Sequence, residues 1–213
     1  MRHIVDLTNW KRTENFRFFE GFYNPTLSIT TEIDCTTAKN AAKKKGQSFF
    51  LHYLYAVLHA VNEVDEFRYR IEGDEIAWYD KVDVMTPIQV NEKGKFVTCR
   101  IAYHPDFDTF YAEAERKIKS ICEDTDPYAE EYVLWKSGHF DVILLSAVPD
   151  LYFTSMGYTQ FDKNGSKYPQ MTVGKVICRN GRHVMPFALC AHHGLIDGFH
   201  VGKLFEILER LLK

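Results

Sequence analysis

Residues 142–147 read Val-Ile-Leu-Leu-Ser-Ala, and Pro149 closes the run two residues later. A run this apolar, with no polar residue at alternate positions, is typical of a strand covered on both faces. Around it the pattern changes period. Residues 36–45 open on a threonine cap signal, end in three lysines and stop at Gly46, as helix termini prefer. Residues 48–61 are apolar or aromatic at nearly every position, which predicts a helix buried on most sides. Residues 106–122 place Phe107, Phe110, Tyr111, Ala114, Ile118 and Ile121 on one stripe. Residues 199–212 do the same with Val201, Leu204, Phe205, Leu208, Leu211 and Leu212.

Strand signals lie between these helices. Residues 26–33 alternate loosely. Residues 68–71 and 75–79 flank Glu72-Gly73-Asp74, and residues 83–90 and 95–102 flank Asn91-Glu92-Lys93-Gly94, so each pair predicts a hairpin. Residues 175–178 and 183–193 surround Asn180-Gly181, the strongest short hairpin signal in the chain. Strands and helices do not alternate strictly. The expected class is α+β, a mixed sheet with helices packed on one side.

At 213 residues, with neither repeat nor linker, the chain suits one domain spanning 1–213. Hydrophobic residues make up 46%, enough for a large core. Lys and Arg number 26 against 29 Asp and Glu, so there is no basic field for nucleic acid. The N-terminus carries no signal-peptide run, and the longest uncharged stretch, around residues 47–62, is too short to predict a membrane span. Five cysteines without a CxxC pair fit reduced thiols and predict a cytoplasmic protein.

Chemistry concentrates in His192-His193-Gly194-Leu195-Ile196-Asp197-Gly198-Phe199-His200. An imidazole titrates near neutrality and can take a proton from a hydroxyl. A metal site built from Cys190, His192, His193 and His200 has the wrong spacing, and adjacent strand residues point to opposite faces. A Ser-His-Asp triad lacks a Gly-x-Ser-x-Gly elbow, and neither GxGxxG nor a Walker loop occurs. What is left is His193-x-x-x-Asp197-Gly198, read as a base on a sharply bent loop. On residues alone, Ser146 reads as a buried strand serine and Arg12 as a solvated arginine.

The longer string His192-His193-x-x-x-Asp197-Gly198-Phe199-His200-Val201 resembles the signature of the trimeric chloramphenicol acetyltransferases. Asn9-Trp10-Lys11-Arg12 with Glu14 and Phe16 is similar to that family's opening. Ala60-Val61-Asn62, Asp65-Glu66-Phe67-Arg68 and Val82-Asp83 are similar to its middle. Leu145-Ser146-Ala147-Val148-Pro149 is similar to its active-site serine strand, and Pro169, Thr172 and Lys175 fall where the family has these residue types.

The resemblance implies acetyl-CoA as co-substrate, no metal or prosthetic group, and a homotrimer with active sites between subunits. It implies His193 as general base, one ring nitrogen held by its own backbone carbonyl, and direct attack of the hydroxyl on the thioester without an acyl-enzyme. It implies Ser146 as oxyanion donor, assistance from Thr172 through water, and a supporting Arg12–Asp197 pair. Lys175 would meet a phosphate of coenzyme A. The likeness departs in the acceptor pocket, where Phe19 replaces a usual tyrosine and Asp150 a usual tryptophan. Two alternatives stay open: a related acyltransferase for another hydroxyl or thiol, and a ligand-binding homologue without turnover. The catalytic cores of 2-oxoacid dehydrogenase complexes share the His-x-x-x-Asp-Gly logic but carry lipoyl domains and linkers.

Overall fold

The computed structural model describes residues 1–160 and 167–213. Its elements run β1 (Arg2–Ile4), α1 (Thr13–Glu20), β2 (Thr26–Asp34), α2 (Thr36–Lys45), α3 (Phe49–Glu63), β3 (Tyr69–Glu72), β4 (Glu75–Tyr79), β5 (Asp83–Gln89) and β6 (Phe96–Ile101). They continue with α4 (Phe107–Lys119), α5 (Ala129–Ser137), β7 (Val142–Val148), β8 (Gln170–Gly174), β9 (Ile177–Arg179), β10 (Arg182–His192) and α6 (Gly198–Leu212). The main sheet has the order β2-β10-β8-β7-β5-β6, with β9 beside β10; a smaller sheet has the order β1-β4-β3. β5, β7 and β8 run parallel and the other neighbours antiparallel, so the sheet is mixed, as expected.

Helices α2, α3, α4 and α6 cover one face. Their core joins Leu54, Val57, Leu58, Phe110, Leu204 and Leu208 to Ile143, Leu145, Met171, Val173, Phe187 and Leu189 from the strands. Alternation along β7 turns Val142 the other way, onto Leu134 of α5, Met85 and Phe140. The apolar run is thus covered on both faces at its start. At its end Ser146 is half-buried and Ala147 exposed.

Several boundaries move. The N-cap of α2 is Cys35 and not Thr36; the Asp34 carboxylate caps the turn instead, accepting from the Thr36 N–H at 3.0 Å. Gly46 does end α2 in the left-handed region, at φ 64°. The strand expected at 175–178 is β9, shifted to Ile177–Arg179; β8 is a further strand that precedes it, with Lys175 between them. Gly174 permits the junction, because a Cβ there would sit 2.5 Å from the Pro186 ring and 2.8 Å from the Leu151 carbonyl. Helices α1 and α5 were not legible. α1 buries only Phe16, and the apolar residues of α5 (Tyr132, Val133, Leu134, Trp135) run consecutively instead of at helical spacing. No described helix is long and apolar enough to cross a membrane.

Candidate active site

β10 ends at His192, and the chain turns at once: the Leu195 and Ile196 N–H groups both donate to the His192 carbonyl at 3.0 Å. Alternation sends the two histidines to opposite sides. His192 turns inward, 5% exposed, and its Nδ1 accepts from the Gly194 N–H at 3.1 Å. Burial, and then the charge of His193, push its pKa down to about 4, so the ring is neutral with its proton on Nε2. Gly194 fits only without a side chain: a Cβ would meet the His192 ring at 3.0 Å and the Phe16 backbone at 3.2 Å.

His193 is half-buried. Its N–H donates to the Pro25 carbonyl at 2.7 Å, pinning the turn to the start of β2. Its ring stacks on Phe19 of α1, centroids 4.2 Å apart and planes 14° from parallel. Its Nδ1 is buried and takes no partner from another described residue. The imidazole is therefore oriented by stacking and by its pinned backbone.

Arg12 holds the turn at both ends. Its Nη1 donates to Asp197 Oδ2 at 2.9 Å, and its Nε reaches the Gly194 carbonyl at 3.4 Å. Asp197 also starts α6, accepting from the Phe199 N–H at 3.0 Å. Burial raises its pKa, but the hydrogen bond from Arg12, the charges of His200 and Arg12, and the Phe199 N–H outweigh that and hold the carboxyl below its ordinary range. His200 completes a capping box: its Nδ1 accepts from the Asp197 N–H at 3.1 Å, and its Nε2 lies 3.3 Å from Glu66. Burial lowers its pKa despite Glu66 and Asp197. His192 is thus a neutral structural group and His200 a helix cap, and among the described residues no cluster of three metal-ligating side chains forms.

Ser146 lies elsewhere. It is level with Thr172 on β8, which is level with Ala188 on β10, and His193 lies five residues further on. At about 3.3 Å per residue and about 4.8 Å between strands, Ser146 and His193 are roughly 19 Å apart within one chain. Thr172 is 2% exposed and hydrogen-bonds Tyr158, whose hydroxyl donates to the Ala188 carbonyl at 3.0 Å. Lys175 and Asp150 are both exposed, at the Ser146 end of the sheet; the Lys175 N–H donates to the Leu151 carbonyl at 2.9 Å. The two acceptor-pocket candidates are therefore separated: Phe19 sits with the base, and Asp150 with the serine.

Ser146 stands between two cavities that no sequence motif announced. β5 pairs with β7 only as far as Met85 and Leu144. Pro87, the next same-face residue on β5, has no N–H with which to extend that ladder. The strands part there, and a cavity of about 430 Å³ opens among Phe50, Leu51, Tyr53, Ile88, Ala147 and Pro149. A second cavity, of about 390 Å³, includes Leu144, Gln170, Glu131, Trp135 and Gln160.

The profile of the family described as chloramphenicol acetyltransferase matches residues 2–209. A solved structure named chloramphenicol acetyltransferase is 53% identical, each chain covered in full, with a TM-score of 0.97. A chloramphenicol acetyltransferase of Proteus mirabilis is 28% identical over 97% of this chain and 93% of its own. A probable dihydrolipoamide acetyltransferase of Listeria monocytogenes, 14% identical with a TM-score of 0.60 over 98% of this chain and 92% of its own, shares the fold. With a profile match that spans nearly every residue of the sheet, the helices and the histidine turn, the chain belongs to the chloramphenicol acetyltransferase family.

Proposed function

We propose that this protein transfers the acetyl group of acetyl-CoA to a hydroxyl of chloramphenicol, at sites shared between copies of the chain in a homotrimer. The observation that carries the assembly is the register of β7, β8 and β10. A base and an oxyanion donor roughly 19 Å apart cannot act on one reacting centre. A second copy has to bring its Ser146 to the first copy's His193. Stacking on Phe19 and the Arg12 brace support a ring held ready on the outer side of the turn.

In the reaction, the His193 ring takes the proton of the acceptor hydroxyl. The oxygen forms a bond to the thioester carbon, and the carbonyl electron pair moves onto oxygen. Ser146 donates a hydrogen bond to that oxyanion. The intermediate collapses, the C–S bond breaks, and the thiolate recovers the proton from the His193 imidazolium. Ester and coenzyme A leave, and no acyl-enzyme is needed. The apolar cavity beside Ala147 and Pro149 suits the pantetheine arm, with Lys175 near its phosphates; the cavity on the other face suits the acceptor. Thr172 orders the floor of the acceptor side.

Subunit complementation tests the whole reading. His193→Ala and Ser146→Ala proteins, each inactive in thiol release with chloramphenicol, are unfolded together and refolded as a mixture. Recovered activity supports sites shared between chains. A mixture as inactive as its parents, with mixed oligomers present, removes the proposal.

A further inference from the structure

A further cavity, of about 220 Å³, lies behind the histidine turn and is lined by His192, not by His193. Its floor is apolar: Phe16, Pro25 and Ile76 are all buried. One polar group breaks that floor. The His192 ring is 5% exposed, and its one hydrogen bond among the described residues is the one Nδ1 accepts from the Gly194 N–H. Nε2 carries the ring proton, is not sealed from solvent, and donates to no described residue. A donor this deep with no protein partner is satisfied by an acceptor that enters the cavity.

Both walls run from apolar to charged over a similar distance. Along α1 the lining passes from Phe16 to Glu20, about 6 Å of helix rise. Along the β3–β4 hairpin it passes from the paired Ile71 and Ile76 to Asp74 at the tip, roughly 6 Å further on. The Phe16 ring lies against His192, centroids 6.0 Å apart, so the unpartnered donor sits at the apolar end. Glu20, Asp74, Glu75 and one cation, Arg17, stand at the other end, all exposed. Glu75 pairs with Arg2 at 2.8 Å. Arg17 offsets one of the two remaining carboxylates and leaves one in excess.

We propose that this cavity is a second ligand site, separate from the acyl-transfer site, for small monocyclic amines with a hydrogen-bond acceptor across the ring from the ammonium group. The acceptor meets Nε2 of His192, the ring lies against Phe16 and Ile76, and the ammonium stays at the hydrated mouth beside Glu20 and Asp74. A cavity of about 150 Å³ takes a benzene-sized ring, so this one admits a ring with short substituents. The assignment does not rest on the acyl-transfer reading.

The test is calorimetric titration of the full-length protein with 4-methoxybenzylamine, 4-ethylbenzylamine and 4-methoxybenzyl alcohol. The first carries both cation and acceptor, the second lacks the ether acceptor, and the third lacks the charge. 4-Methoxybenzylamine is expected to bind about fivefold more tightly than the ethyl compound, the worth of one hydrogen bond. It is expected to exceed the alcohol by about threefold at low salt, an advantage that fades at high salt. His192→Asn, which keeps an acceptor for Gly194 and withdraws the deep donor, removes the methoxy preference. Glu20→Gln combined with Asp74→Asn, both at exposed positions, removes the charge preference and keeps the methoxy preference. Saturating chloramphenicol leaves the affinity within about twofold, as two separate sites require. If His192→Asn does not fold, the wild-type order and the mouth variant decide. No saturable binding of 4-methoxybenzylamine into the millimolar range, where ligands of this size bind, overturns the inference. So do preferences that neither substitution moves, and so does displacement by chloramphenicol.

Discussion

The turn carrying His193 and the strand carrying Ser146 hold their residues by different means. The turn hangs on side chains from distant segments: Phe19 stacks on the base, Arg12 grips Gly194 and Asp197, and His192 folds back on Gly194. Ser146 is held by main-chain pairing to β8, and its hydroxyl is not what keeps the strand in place. A region held by a few side chains fails when one of them is changed or changes charge. A region held by backbone tolerates truncation and loses only chemistry.

The largest effect tests the tip of the turn: His193→Ala lowers kcat about 10²–10⁴-fold, the span of a positioned general base. Next comes Ser146→Ala, which lowers kcat about 10²–10³-fold and leaves the urea midpoint close to wild type. If it instead unfolds the protein, the strand depends on that hydroxyl as the turn depends on its side chains.

The third effect is a pH dependence. Burial favours the neutral form of His192 in the fold, so the unfolded chain binds the proton more tightly. The stabilisation is complete above pH 6.5 and drains away as pH falls toward 4, a loss on the order of 3 kcal/mol. Urea unfolding at both ends of that window, on wild type and on His192→Asn, measures it; Asn keeps an acceptor for the Gly194 N–H but does not titrate. An Asn variant with an unchanged pH slope would assign the slope to other groups.

The smallest effect is Arg12→Ala, expected to cost about 2 kcal/mol, below the range for a fully buried pair because Asp197 keeps 29% exposure. Arg12→Lys should recover under half of it, since an ammonium does not reach both Gly194 and Asp197 as the planar fork does. Thermal or urea unfolding decides this, and a Lys variant as stable as wild type would reduce the brace to a simple charge.

Much of this was readable in residue order. The stripes of α4 and α6, the Asn180-Gly181 turn (φ 52° and 77°) and the left-handed Gly46 are local matters, governed by side-chain spacing and by which residues tolerate positive φ. The string from His192 to His200 marked the chemical turn for the same reason: the Leu195 and Ile196 N–H groups close on His192 within it, although the His193 N–H reaches out to Pro25. α1 and α5 escaped, because each buries a single residue and leaves no periodic trace.

By itself the sequence determined which side chains are chemically capable, where the chain turns, and that β7 needs cover on both faces. Tertiary structure alone decided that Arg12 meets Asp197 across 185 positions, that Pro87 ends a ladder level with Ser146, and that Ser146 and His193 lie far apart in one chain. The division follows from range. Dihedral preferences and hydrophobic period act over a few residues, whereas strand order and register are settled by long-range burial, which no short window of residues contains.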